Sequence, residues 1–432
     1  MTSRFHSVRL IEDKCRGCTN CLKHCPTEAI RVYDKRAHII DERCIDCGEC
    51  IRICNYHAKV AQTDTLEDIK RFPHPIALPA PTLYGQFRHL TDIGVIREAL
   101  IAIGFKEVFD VARGADVTTC AIRRALRDPL RPRPLISSAC PTITRIIQVR
   151  FPALIPNIIP LRQPMEIAAQ MARRDYAKAH QVDPKDIGIF FITPCAAKMT
   201  AIRSPIGHAR SAVDGAISVM EIYGHIHPLV GKIKPATRQH DFSPFGIGWA
   251  GSGGELDAAV PRNSIAVDGI ENVIRVLEEV DNNTITDLDY FEGSACLGGC
   301  VGGPLNYENN YLARNTIQMI QNAMPNTTPE ELVRSADLNQ DDLYFDQEIL
   351  PNDSMKLHES IASAIERMEE MNRIIENLPG YDCGSCGSPT CRSFAEDIVR
   401  GNVNENDCIY ILKDTLKVMA QKMVSISKTR RE

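Results

Sequence analysis

Cys15, Cys18, Cys21 and Cys25, followed by Pro26, form a C-x2-C-x2-C-x3-C-P run. Cys44, Cys47, Cys50 and Cys54 repeat that spacing with Asn55 in place of the proline. Three thiolates at two-residue gaps can wrap one face of a four-iron cubane, with the fourth ligand coming from elsewhere in the fold. Zinc sites, the plain alternative, usually space their ligands as two separated pairs. A third set, Cys383, Cys386, Cys391 and Cys408, lies in glycine-rich text that starts Asp-Cys-Gly-Ser-Cys-Gly at Asp382. Small residues there let backbone N–H groups approach cluster sulfurs and stabilise their charge; a zinc knuckle is the alternative. Of the remaining cysteines, Cys120 sits on a helical apolar pattern and reads as a core thiol. Cys140, Cys195, Cys296 and Cys300 lie in three separated segments that only a folded domain can bring together.

The elements that position these residues follow from composition and periodicity. The chain has 432 residues, is 44% hydrophobic and 24% charged, and carries 17 cysteines and a net charge of −5. It has ample material for buried cores and no basic excess for nucleic acid or an anionic membrane. The start, MTSRFHSVRL, shows no apolar leader, and no apolar stretch reaches membrane length, so a cytoplasmic protein is expected. Metal or redox use of the cysteines is then favoured over disulfides.

Residues 64–350 alternate β-rich apolar runs with amphipathic stretches, which reads as α/β. Leu135-Ile136 leads into Ser-Ser-Ala-Cys140-Pro141, and the run from Ile187 leads into Thr193-Pro194-Cys195. Phe245–Trp249 reads as a further strand, leading into Ala-Gly-Ser-Gly-Gly-Glu255. Sites in open α/β sheets gather at such strand ends.

Residues 5–63 resemble bacterial two-cluster ferredoxins. That resemblance implies that the fourth cysteine of each run crosses to the other cluster. One cluster would take Cys15, Cys18, Cys21 and Cys54, the other Cys44, Cys47, Cys50 and Cys25. The C-terminal set is similar to the four-cysteine iron–sulfur domain appended to corrinoid proteins and Rnf-type electron-transfer subunits. Ser-Ser-Ala-Cys-Pro (137–141), Thr-Pro-Cys-Ala-Ala-Lys (193–198) and Glu292-Gly-Ser-Ala-Cys296-Leu-Gly-Gly-Cys300-Val-Gly-Gly resemble the three signature loops of [FeFe]-hydrogenases. Ala80-Pro81-Thr82 resembles a pocket turn of the same family.

The resemblance implies an α/β hydrogenase domain (64–350) after an α+β ferredoxin-like domain (1–63). A connecting helix (351–378) and a small, mainly helical iron–sulfur domain (379–432) would follow. It implies that Cys140, Cys195, Cys296 and Cys300 hold the [4Fe–4S] part of an H-cluster, with Cys300 bridging to a two-iron subsite bearing CO, cyanide and an amine-dithiolate. Separate maturation proteins insert that subsite. Lys198 would hydrogen-bond a cyanide, and Ala80 and Pro81 would pack on the dithiolate. H2, protons and a redox partner, either a ferredoxin or a signalling protein, are the partners implied, in anaerobic metabolism or hydrogen sensing.

The chain departs from the family pattern at the proton relay. Ala139 stands where a cysteine is usual, Ala201 where a glutamate is usual, and Ile122 and Ala125 where two further acids are usual. General acid–base transfer needs a titratable group within reach, directly or through one water, so slow, sensory chemistry is expected. Ser294 and Thr193 replace two methionines, and hydroxyls there would tune a cluster ligand by hydrogen bonding. A non-hydrogenase iron–sulfur assembly protein, or an electron-relay subunit keeping only the [4Fe–4S] clusters, is the alternative.

Leu357, Ile361, Ala364, Met368, Met371, Ile375 and Leu378 form one apolar stripe, expected to lie along the hydrogenase domain or to pair in a coiled coil. Thr328-Pro-Glu-Glu331 reads as a capped helix start. Residues 336–348 read as an acidic linker or edge, and His24 and His57 as solvent-exposed.

Overall fold

Ile187–Thr193 leaves the chain little choice of structure. All seven residues, Ile-Gly-Ile-Phe-Phe-Ile-Thr, are buried, as an unbroken apolar run is when both faces of a parallel sheet are covered. The computed structural model describes residues 5–90, 92–234, 241–333 and 342–429. It divides into two compact units that do not follow the chain linearly. The larger contains the segment up to Arg9, Ile45–Gly48 and Ala61–Asn352; the smaller contains Leu10–Cys44, Glu49–Val60 and the segment from Asp353 onward.

The larger unit is α/β. Its strands are β1 (His74–Pro79), β2 (Glu107–Val108), β3 (Leu135–Ile136), β4 (Ile187–Thr193), β5 (Gly215–Ser218), β6 (Ser264–Asp268) and β7 (Tyr290–Ser294). They form two parallel sheets, ordered β2-β1-β4-β5 and β6-β7-β3. In the first, β1 and β4 pair Ile76 with Ile189 and Leu78 with Phe191, and these four face one core. Ala77, Phe190 and Ile192 face the other, the period-2 alternation of a strand buried on both sides. Its principal helices are α1 (Val111–Leu126), α2 (Pro141–Arg150), α3 (Pro164–His180) and α4 (Ala196–Arg203). Pro141 and Pro164 open α2 and α3 at the first turn, where a missing N–H costs nothing. Because the strands run parallel, the loops leaving β1, β3, β4 and β7 emerge at equivalent, C-terminal ends.

One expected strand is absent. Pro244–Gly248 is a short helix. Pro244 occupies its first turn, and the Ser243 hydroxyl accepts from Gly246 N at 3.1 Å, a cap that the Phe-Gly-Ile-Gly-Trp alternation does not reveal. The strand that supplies the second sheet is instead β7, Tyr-Phe-Glu-Gly-Ser. The helix start at Thr328 is present, with Thr328 N donating to the Glu331 carboxylate at 2.8 Å. The acidic stretch lies partly outside the described residues. Its described part is pinned to the unit, with Leu343 buried in the core and Tyr344 bridging Leu161.

In the smaller unit, Ile30–Tyr33 and Arg36–Ile39 form an antiparallel hairpin, closed by Asp34 and Lys35, both at positive φ. Cysteine-bearing turns flank it. The helix α5 (Ile361–Asn377) packs on α6 (Cys391–Val399), burying Met371, Ile374 and Leu378 against Phe394, Ala395 and Cys408. Ile361, Ile365 and Met368 stay exposed. Leu357, Met371, Ile375 and Leu378 of the expected stripe pack in this cluster, joined by Ile374, while Ile361 and Met368 of the stripe do not. The buried face covers the last cysteine module, where Phe394 and Ala395 offer the apolar surface it needs.

That module is also joined to the hairpin. Arg31 donates Nε to Asp397 at 2.5 Å and Nη2 at 3.0 Å, both partners buried. Arg43 pairs with Glu396, Ser393 donates to Glu28 at 2.6 Å, and Val32 N donates to Gly387 O at 2.9 Å. No helix among the described residues is long and apolar enough to cross a membrane.

Candidate metal centre

The loops at the ends of the parallel strands bring four distant cysteines together. Cys140 precedes α2, and Cys195 caps α4, its sulfur accepting from Lys198 N at 3.4 Å. Cys296 follows β7, and Cys300 starts the turn Cys300–Gly302. Cys195 lies within electrostatic range of Cys140, Cys296 and Cys300. Burial pushes the Cys195 thiol far above its ordinary range and the Cys300 thiol to about 12. Desolvated thiols crowded this way ionise only against a positive centre, which is the chemistry of a metal–thiolate site. The backbone is cut away to match. A Cβ on Gly299, at φ +86°, would lie 2.4 Å from Ser252 N, and one on Gly303 would lie 2.4 Å from Pro194 O.

Beside Cys140 and Cys300 opens a cavity of about 90 Å³. Ala80, Pro81, Ala139, Lys198 and Ser294 line it, all singled out by the sequence. Val111, Met165, Phe191, Trp249 and Ala250 supply most of its apolar wall. Thr193 is not among the lining residues. Its hydroxyl accepts from Cys195 N at 3.2 Å and donates to Cys195 O at 3.0 Å, so it shapes the cysteine's loop instead of meeting a bound group. Lys198 Nζ donates to Ala139 O at 2.8 Å and to Gln163 Oε1 at 2.9 Å, which stretches it across the cavity mouth. Gln163 was not read from the sequence, and Thr82 was read only as part of the pocket turn, without a role. Thr82 lines the cavity with a buried hydroxyl that has no hydrogen-bond partner among the described residues.

Two acids also line it. Glu255 accepts from Tyr290 OH at 2.5 Å and from Ser137 Oγ at 2.7 Å. Glu292 accepts from Gly253 N and Leu256 N, each at 2.8 Å. Burial, then the neighbouring Glu255, raises the Glu292 carboxyl to about 8, and burial raises Glu255 as well. Both residues stood inside quoted motifs without a role. The available signal was a glutamate inside the otherwise apolar β7.

The other cysteines form two further kinds of site. Cys15, Cys18, Cys21 and Cys54 line one small cavity of the smaller unit. Cys50 has Cys44 and Cys25 as electrostatic neighbours. Cys25 Sγ and Cys54 Sγ each accept a backbone N–H at 3.2 Å, from Ala29 and Ala58. Cys47 belongs to Ile45–Gly48 on the larger unit, where Asp46 bonds His6, Ser7 N and Val8 N. Cys386 has Cys408 and Cys383 as electrostatic neighbours, and Cys391 N donates to Asp382. Cys120 is a buried thiol of α1, raised to about 11 by burial. His24 and His57 are exposed.

Residues 74–260 match the family model of the iron only hydrogenase large subunit, C-terminal domain. Residues 7–55 match a 4Fe-4S dicluster domain, and 378–410 an Fe-S cluster domain. Over residues 74–260 the chain is similar to the [FeFe]-hydrogenases. It is 28% identical over 214 residues to the periplasmic [Fe] hydrogenase large subunit of Nitratidesulfovibrio vulgaris, covering 45% of this chain and 51% of that one. The match thus spans about half the length of that relative. The cytosolic Fe-S cluster assembly factor nar1 of Aspergillus flavus is 26% identical over 137 residues, covering 31% of this chain and 24% of its own. Among solved structures, the [FeFe]-hydrogenase HydA(deltaEFG) superposes with a TM-score of 0.54 at 16% identity, over 66% of this chain and 98% of that one. A variant of HydA1 from Chlamydomonas reinhardtii gives 0.51 at 17% identity, over 65% and 94%. These likenesses carry the fold.

In this hydrogenase-like chain Ile122, Ala125 and Ala201 are all buried within the apolar core, and Ala139 carries no proton-active atom. Besides the thiols Cys140 and Cys300, the titratable groups lining the cavity among the described residues are Lys198, Glu255 and Glu292.

Proposed function

We propose that the chain is a hydrogenase, interconverting H2 with two protons and two electrons, slowly and in a sensory or regulatory role. The supporting observation is the cavity beside Cys300, walled by apolar side chains yet holding Lys198 and two buried acids. Cys140, Cys195, Cys296 and Cys300 would hold the four-iron part of an H-cluster, with the two-iron part in the cavity. When bound, that group supplies an open iron position and a basic bridge at which H2 is split or formed.

The protein's share is to exclude water, orient and move protons. Val111, Phe191 and Trp249 keep the cavity dry. Lys198, tethered to Ala139 O and Gln163, is poised to donate to an anionic ligand. Glu292, raised to about 8, holds a proton at neutral pH, and Glu255, tied to Ser137 and Tyr290, is next to it electrically. This acid pair does not occupy the usual relay positions, and Ala139 leaves a gap between it and the reacting centre. Slow proton delivery follows. Electrons would leave through cubanes on Cys15, Cys18, Cys21 and Cys54, on Cys44, Cys47, Cys50 and Cys25, and on Cys383, Cys386, Cys391 and Cys408. A redox or signalling protein would receive them.

The likeness to nar1 favours a second reading, in which the chain keeps its [4Fe–4S] clusters and serves cluster assembly. Infrared spectra of the anaerobically matured chain test the choice. CO and cyanide bands with H2-dependent changes are expected; cubane signals alone, after exposure to maturation proteins that load a known hydrogenase, would overturn the hydrogenase reading.

A further inference from the structure

The two cysteine runs are repeats, so their differences can be read position by position. After the fourth cysteine of the first run the chain reads Cys25-Pro-Thr-Glu-Ala29-Ile30; after that of the second it reads Cys54-Asn-Tyr-His-Ala58-Lys59. The backbone is the same in both, since Ala29 N and Ala58 N donate to Cys25 Sγ and Cys54 Sγ at equal distance. Ile30 is buried at 3% exposure among Cys21, Leu22 and Ala37. Lys59, its counterpart, is buried at 2% exposure, and its Nζ has no hydrogen-bond partner among the described residues.

An ammonium without water or a partner is among the costliest groups to bury. Lys59 lines the cavity formed by Cys15, Cys18, Cys21 and Cys54, and its charge also reaches Cys50 of the other run. Free, these thiols are neutral, since burial raises Cys21 to about 11 and Cys50 as well, but a cluster held by four thiolates is an anion. The pocket around Lys59 therefore makes electrostatic sense only with a negative centre in that cavity.

We propose that Lys59 is the counter-charge of the cluster held by Cys15, Cys18, Cys21 and Cys54, and that it sets this cluster at a higher reduction potential than its pseudo-symmetric partner beside Ile30. Reduction adds an electron to an already anionic centre, so a fixed positive charge in low dielectric favours the reduced form. The two N-terminal clusters are then unequal, and an electron rests on the Lys59 side. Here Lys59 acts as a positioning residue for charge and touches no substrate.

This inference rests on the N-terminal runs carrying clusters, as the proposed function holds. The test is a redox titration of the anaerobically reconstituted full chain, followed by electron paramagnetic resonance, with iron and sulfide determined on each sample. Cys18→Ser marks the signal belonging to the Lys59 side. The wild type should show two distinct N-terminal midpoints, the Lys59-side one higher. Lys59→Met should lower that midpoint enough to change the reduced-to-oxidised ratio at least tenfold, 59 mV for one electron, with iron content unchanged. Lys59→Arg should retain most of the wild-type value. Equal midpoints in the wild type overturn the proposal whatever the variants do, as does a Lys59→Met midpoint that does not move. An N-terminal module that binds no iron overturns the functional reading and this inference together.

Discussion

Tyr290 donates its hydroxyl to Glu255 across 2.5 Å, and both side chains are buried. The phenol's hydrogen bond favours the carboxylate form of Glu255, while burial pushes the ionisation of both groups upward. Burial, then the neighbouring Glu255, holds Glu292 protonated up to about 8. The chain has thus gathered proton-holding groups at the cavity wall.

Glu292→Gln should reduce H2 evolution by roughly a hundredfold, within the usual range for losing a general acid. The wild-type rate of evolution should fall as pH rises through about 8, because the acid form is then lost, and the variant should lack that inflection. The linkage has the same sign. A carboxyl raised in the folded state adds stability below its ordinary range and loses it as pH rises through about 8. Steady-state rates and thermal midpoints between pH 6 and 10, wild type against variant, check both, and an unchanged inflection in the variant would refute the role.

Ala139→Cys should change turnover by less than about tenfold. The new thiol would face the cavity, but Ile122, Ala125 and Ala201 remain apolar and buried behind it. Activity with one artificial electron donor, compared between wild type and variant, is the measurement; a hundredfold gain would sink the account.

Asp397→Ala should cost about 3–5 kcal/mol of the smaller unit's stability, since it leaves Arg31 buried without its partner. Ser388, which also donates to Asp397, loses its acceptor too. Denaturant unfolding followed by the iron–sulfur absorption should show the loss. A variant as stable as wild type would mean that the pair does not hold the hairpin and the last module together.

Ile374→Glu should unfold the last cysteine module and release its share of iron, because Ile374 is buried against that module. Ile361→Glu and Met368→Glu should be nearly silent, since both side chains are exposed. Iron content and the circular dichroism of the three variants separate the two faces of α5.

The cysteine spacings were readable from the sequence because a cubane imposes them locally: two residues between thiolates is what one turn around an iron–sulfur face requires. The parallel strand at Ile187–Thr193 was readable for the same reason, since burial on both faces demands an unbroken apolar run. The short helix Pro244–Gly248 was missed because its cap comes from Ser243, one residue outside the apolar window that suggested a strand. The buried face of α5 was legible only in part, because Leu357–Leu378 carries apolar residues on more than one side and the surface offered by Phe394 and Ala395 selects among them. Glu255, Glu292 and Lys59 gained meaning only in three dimensions. A titratable residue announces its type in the sequence, but its ionisation depends on what surrounds it, and those neighbours are mostly far away in the chain. Local spacing picked out the cysteine sets proposed to hold iron; tertiary burial decided which acids hold protons and where a lone positive charge faces the thiols.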